Sequence, residues 1–121
     1  MNWVVIPAAA AVGALCRWGC VRAAVSLGAS APVGTLAVNV LGSFLAGVLA
    51  LPLRQAHPLL GACVFLGFLG AFTTFSTYSL ETAQMLLHGE LLRPLVNLLL
   101  QNGLGLLAAL GGLLLASACL R

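Results

Sequence analysis

The sequence predicts an all-α integral membrane protein of four transmembrane helices, and three observations carry that prediction. Hydrophobic residues make up 62% of the 121 residues and charged residues 6%, a balance outside that of ordinary water-soluble domains. The mean hydropathy is +1.15, so lipid is the solvent for most of the surface. The apolar residues also fall into four stretches, each offering the roughly 20 residues that a helix needs to cross a bilayer core of ~30 Å. A chain of this length forms one domain over residues 1–121, and no extramembrane domain is expected.

The first span runs from Trp3 to Leu27, with Pro7 near its start, where a missing N–H is tolerated. It does not read as a cleavable leader, because no basic residues precede it and the apolar run continues past Arg17. The second span, Val33 to Leu53, is entered through a turn rich in Gly, Ala, Ser and Pro. The third begins at Pro58 and reaches Leu87, and the fourth runs from Pro94 to Leu120. The connectors (Leu27 to Pro32, Arg54 to His57, His88 to Arg93) are only long enough to turn the chain. Sequential spans are therefore expected to be antiparallel neighbours in a compact bundle. Gly42-x-x-x-Ala46 and Ser43-x-x-x-Gly47 in span two, with Gly103, Gly105, Gly111 and Gly112 in span four, allow close backbone approach.

Charge is scarce: five arginines, no lysine, and Glu81 and Glu90 as the acidic residues. The pI near 9.0 reflects that scarcity rather than a basic patch, and no cluster exists to neutralise phosphates, so nucleic acid is excluded as a partner. Arg54 and Arg121 fall on one side of the membrane, Arg93 and Arg22 on the other. So even a distribution gives almost no positive-inside bias. Such a chain can insert in both directions, which permits an antiparallel homodimer with its two-fold axis in the membrane plane. No internal repeat is visible, so that symmetry requires a second copy.

Chemistry of the enzymatic kind finds no residues. His57 and His88 both lie at span ends, aspartate is absent, and no nucleophile has a base in reach. Cys16, Cys20, Cys63 and Cys119 lack paired spacing and further metal ligands, and are expected to act as small buried hydrophobes.

Polar residues at membrane depth are costly and so mark function. Asn39 lies two turns into span two, with Ser43 one turn further on the same face; an interhelical hydrogen bond and a pore role are both open to them. Arg17, in span one, suits a structural role at a helix end or vestibule, its stem lying along apolar surface. Span three is the outlier. Between Gly70 and Thr82 it carries Thr73, Thr74, Ser76, Thr77, Tyr78, Ser79, Glu81 and Thr82. Glycines and the Thr73-Thr74 pair weaken the helix, while hydroxyls can re-satisfy freed backbone groups, so a break exposing backbone to an ion is expected there. A continuous helix with one polar face is the alternative. Phe72, Phe75 and Tyr78 recur every third residue, as a packing stripe or as ring edges whose partial positive charge can face an anion. In span four, Asn97 and Gln101 share a face and offer amide groups to span three.

Three stretches carry a resemblance: Gly13-Ala-Leu-Cys-Arg17-Trp18, Gly34-Thr-Leu-Ala-Val-Asn39-Val-Leu-Gly-Ser43, and Gly67-Phe-Leu-Gly70-Ala-Phe-Thr73-Thr-Phe75-Ser-Thr-Tyr78-Ser-Leu-Glu81. With them the chain resembles the small fluoride channels of the Fluc, or CrcB, family along essentially its whole length. The resemblance implies a dual-topology antiparallel homodimer in the bacterial inner membrane, with two pores that carry fluoride passively out of the cell. It also implies a structural sodium ion at the dimer centre, held by the backbone carbonyls of Gly70 and Thr73. Asn39 corresponds to the family's pore asparagine, Phe75 and Tyr78 to its stacked phenylalanines, and Ser43, Thr77, Ser79 and Glu81 to its polar path. Tyr78 departs from the usual phenylalanine, and Asn97 and Gln101 stand where a tyrosine and a serine would align. Two other readings compete: a proton-coupled exporter of small cations using Glu81, and a non-conducting subunit that assembles with a partner.

Overall fold

The computed structural model describes residues 2–120, so Arg121, counted above among the flanking charges, lies outside them. Described residues form helices and turns only. Helix α1 spans Asn2–Ser26 and α2 spans Ala31–Leu53. The third crossing is built in pieces: α3 (Pro58–Ala62), a π-helical stretch (Cys63–Leu69), α4 (Gly70–Phe72), then α5 (Phe75–Leu87) after a break. Helix α6, Leu92–Cys119, completes the set. Four segments are thus long and apolar enough to cross a membrane: Trp3–Ser26, Ala31–Leu53, Pro58–Leu87 and Leu92–Cys119.

Spans two and four begin two residues earlier than the sequence pattern suggests. In α2 the reason is that Pro32 needs no N–H in the first turn. Because α1 starts at Asn2, Pro7 falls in its second turn rather than at its start. The turns after α1 and α5 share one construction. Gly28 and Gly89 adopt φ of 92° and 79°, and each closes a Schellman cap. At the first, Ala29 N–H donates to Ala24 O and Gly28 N–H to Val25 O, both at 3.0 Å. At the second, Glu90 N–H donates to Met85 O at 3.1 Å and Gly89 N–H to Leu86 O at 3.0 Å.

The packing corrects the expectation that sequential spans are the main neighbours. The most extensive contacts join alternate, parallel spans: α2 with α6, and α1 with the π-helical stretch and α4. Along α2 and α6 the register is constant, with Asn39 meeting Gln101, Ser43 facing Gly105, and Gly47 against Ala109. A Cβ on Gly47 would collide with the Ala109 carbonyl, and one on Gly112 with the Phe44 carbonyl. A Cβ on Gly13 of α1 would collide with the Phe68 carbonyl. Gly103 and Gly111 face open space instead, so half of the glycines singled out in span four have no packing role within the chain.

Most of the surface is apolar, as a lipid-facing chain requires. The cysteines correct a second expectation. Cys16, Cys20 and Cys119 are exposed and Cys63 is half-buried, because they fall on outward helix faces rather than in the core.

Candidate functional site

The site is built around the interruption of the third crossing. Thr73 and Thr74 leave helical geometry, with φ/ψ of −86°/160° and −150°/115°. In an unbroken helix the N–H groups of Thr74 and Thr77 would donate to the carbonyls of Gly70 and Thr73. Both are diverted. Thr74 N–H donates to Asn39 Oδ1 at 2.7 Å, and Thr77 N–H to Thr74 Oγ1 at 3.2 Å. Thr74 thereby becomes the N-cap of α5, the role for which a threonine oxygen is suited. The break leaves the carbonyls of residues 70–73, those of Gly70 and Thr73 among them, without helical partners. Thr73 O accepts from Arg17 Nη1 at 3.3 Å, which places Arg17 at the break as a backbone anchor. The hydroxyl of Thr73 closes back onto Leu69 O at 3.0 Å.

Asn39 grips the break from α2. Its Oδ1 receives the Thr74 N–H, while Nδ2 donates to Thr74 O at 3.0 Å and to Gln101 Oε1 at 2.9 Å. All the amide's hydrogens are thus committed. A second polar ladder ties α6 to α5: Asn97 Nδ2 donates to Thr82 Oγ1 at 2.9 Å, and the Thr82 hydroxyl donates to Tyr78 O at 2.7 Å. Asn102 Nδ2 donates to Leu98 O at 2.8 Å and reaches Tyr78 Oη at 3.4 Å. Gln101 Nε2 is buried and has no partner. An amide donor left unpaired inside a protein costs about 1–3 kcal/mol.

The break also separates the aromatic residues. Phe72, 2% exposed, stacks on Phe68 with centroids 5.6 Å apart and planes at 9°. Phe75, on the far side of the break, is 75% exposed and meets Tyr78 edge-on, at 5.2 Å and 77°. The three-residue recurrence therefore does not make one stripe: Phe72 is core, and Phe75 with Tyr78 forms a separate pair.

Two clefts flank the break. One, of about 390 Å³, is lined by Asn39, Ser43, Phe75, Tyr78, Gln101 and Asn102 together with backbone around Gly70, Thr73 and Thr74, and no charged residue lines it. The other, of about 720 Å³, is lined by Arg17, Arg22, Thr35, Thr74, Thr77 and Glu81 among apolar side chains. Glu81 accepts from Thr35 Oγ1 at 2.8 Å, and its second oxygen is buried without a partner. Of the residues singled out by sequence, Asn39, Ser43, Phe75 and Tyr78 are brought together with Gly70 and Thr73. Thr77 and Glu81 lie with Arg17 in the second cleft. Ser79 is half-buried and lines neither. Thr35 and Thr74 were not distinguished by sequence: the first is a single hydroxyl in an otherwise apolar run, and the second is chemically identical to its neighbour Thr73. No group of three or more His, Cys, Asp or Glu side chains that could hold a metal ion occurs among the described residues.

Comparison with known proteins identifies the family. The family model described as "CrcB-like protein, Camphor Resistance (CrcB)" matches residues 4–113. A protein of Desulforapulum autotrophicum named "Fluoride-specific ion channel FluC" is 39% identical over 118 residues, 94% of either chain. Proteins of the same name from Nitratiruptor and Methylococcus capsulatus are 53% identical over 70 residues and 47% over 93. The chain spans about half the length of these two, 55% and 41% respectively, while the aligned parts cover 57% and 74% of this chain. With the family model covering most of its length and a relative aligned nearly end to end, the chain belongs to the CrcB family.

Proposed function

We propose that this multi-pass membrane protein is a fluoride-selective channel that lets fluoride leave the cell passively, working as an antiparallel homodimer with two pores. The observation that carries the reading is the uncharged cleft beside the break, where the Phe75–Tyr78 pair meets hydroxyl and amide groups of α2 and α6. Fluoride is small and strongly hydrated, so a narrow path must replace its water with hydrogen-bond donors. Neutral donors and ring edges do so without the trapping that a fixed cation would cause, and conduction needs binding weak enough to release. The names of the relatives support the choice of ion.

The exposed Phe75 and the even spread of arginine support a second, inverted copy as the missing wall of the path. The carbonyl of Gly70, released from helical bonding, and that of Thr73, which also accepts from Arg17, offer oxygen ligands of the kind a hard cation such as sodium takes. Two carbonyls from each of two copies would hold it at the dimer axis, where its charge would tie the copies together. Glu81 is the single acidic residue within a span, and a proton-coupled exporter would have to work through it.

Efflux from liposomes, followed with a fluoride electrode, tests the reading. Fluoride release should far exceed chloride release, and Phe75→Ile and Asn39→Ala should each lose most of it. Equal flux of the two halides, or unchanged flux in both variants, overturns the proposal. Flux that follows a proton gradient and is lost in Glu81→Gln would establish the exporter instead.

A further inference from the structure

We infer that the groove beneath the two Schellman turns binds one phospholipid with an ethanolamine headgroup, its phosphate on Arg93, its ammonium on Glu90 and an acyl chain along the apolar floor. The inference needs only that the chain crosses a membrane, and it is independent of the ion carried. The groove, of about 300 Å³, lies where α2 and α6 begin and α5 ends. Its walls are Val33 and Leu36 of α2, Met85 of α5, and Val96 and Leu100 of α6. Ser30 and Arg93 stand at the mouth: Ser30 directly precedes α2, and Arg93 is the second residue of α6. From Arg93 to Leu100 the wall descends about 10 Å, at ~1.5 Å per helical residue. Asn97 is the one polar side chain below the mouth, and its Nδ2 is already given to Thr82. The groove is thus charged where the spans leave the bilayer and apolar beneath, the order in which a lipid presents headgroup and chain. Pockets between membrane helices with a basic residue at the surface hold lipid headgroups on the same principle.

The charges at the mouth select the headgroup. Arg93 has five N–H groups, and its one side-chain hydrogen bond among the described residues runs from Nη1 to Glu90 Oε1, at 3.3 Å. With the side chain 77% exposed, the rest of the fork is open to a phosphate, which a guanidinium binds through paired N–H groups. Glu90 makes only that contact. Its Oε2 is buried without a partner, which leaves Oε1 as the oxygen a headgroup would meet. A phosphodiester alone would reach Arg93 but lie against the like charge of Glu90. Phosphoethanolamine brings an opposite charge to each member of the pair, and its ammonium donates hydrogen bonds that the quaternary nitrogen of choline lacks. A second copy of this chain fits less well. Its acidic residues are Glu81 and Glu90, the first held by Thr35 and the second already on Arg93, so it has no carboxylate to offer.

Native mass spectrometry of the purified protein in detergent, with dioleoyl lipids added, tests the inference. Phosphatidylethanolamine should be retained at about tenfold lower concentration than phosphatidylcholine or phosphatidylglycerol of the same chains, the worth of one charge-assisted hydrogen bond. Glu90→Gln should keep binding but bring phosphatidylethanolamine level with phosphatidylcholine. Arg93→Gln should weaken retention of all three lipids, and Val96→Trp, which fills the groove and spares the charge pair, should abolish it. Comparing lipids within one variant keeps the reading separate from any loss of stability. Equal retention of phosphatidylethanolamine and phosphatidylcholine by the unaltered protein overturns the inference. So does tighter retention of phosphatidylglycerol, or a preference for phosphatidylethanolamine that survives in Glu90→Gln. Retention unchanged in both Arg93→Gln and Val96→Trp would place the lipid elsewhere and overturn it too.

Discussion

Thr74 is the residue on which the break turns. Its N–H and carbonyl are both held by Asn39, and its hydroxyl caps α5. Thr74→Val keeps the shape and removes the cap, and should cost about 1 kcal/mol of stability, measured as a lowered midpoint of chemical unfolding in detergent. Thr73→Val, which loses only a bond back to Leu69 O, should cost less than half of that in the same measurement. Tyr78 calls for a different expectation. Its hydroxyl meets Asn102 at 3.4 Å, a long contact beside a ring held mainly by burial. Tyr78→Phe should therefore change stability by under ~1 kcal/mol and keep fluoride efflux within about threefold, whereas Phe75→Ile should lose most of it. Sequence marked Asn39 because a lone amide stands out among aliphatic residues, and Phe75 through the aromatic recurrence and the family resemblance. It could not tell Thr73 from Thr74, since which of two identical side chains caps a helix depends on where the backbone leaves it.

At the scale of elements, the four spans and the interrupted third crossing were legible, because hydropathy and helix-weakening composition are local properties. Which spans pack together was not. Short connectors favour neighbours in sequence, yet the contacts join α2 to α6 through glycines that meet backbone carbonyls. Small-residue spacing occurs on several faces, and only the three-dimensional arrangement separates Gly47 and Gly112 from Gly103 and Gly111. Gly47→Ala should destabilise the protein by about 1–3 kcal/mol, since the added methyl meets the rigid Ala109 carbonyl. Gly103→Ala faces open space and should stabilise α6 by up to about 1 kcal/mol. Unfolding midpoints of the two variants, shifted in opposite directions, check the assignment. The π-helical stretch Cys63–Leu69 also escaped the sequence reading: a wider helical turn leaves no clear mark in hydropathy.

For the whole molecule, the arginines matter through their balance. Arg22 and Arg93 flank the ends of spans that share the two Schellman turns, and Arg54 lies at the other end. Glu90 pairs with Arg93 at 3.3 Å on the surface, a contact of small energetic worth. If the proposed dimer contains one copy in each orientation, adding three arginines to the Gln55–His57 turn should fix one orientation and abolish fluoride efflux. Adding them instead to the Gly28–Ser30 turn should fix the other, and co-expressing both versions should restore efflux. Reporter fusions on either side of the membrane would read the orientations, and efflux that survives in one fixed orientation would exclude the inverted pair.

The register between α2 and α6 also sets a timetable for biogenesis. A ribosome delivers α2 to the bilayer well before α6 exists, and until then the Gly47 groove has no backbone to close on. During that interval Asn39 cannot find Gln101, so an amide at membrane depth waits with an open hydrogen. Synthesis of α6 is therefore the step that closes the Gly47 groove and pairs Asn39. A chain cut off in the turn after α5 would leave the Gly47 groove and the Asn39 amide without their α6 partners.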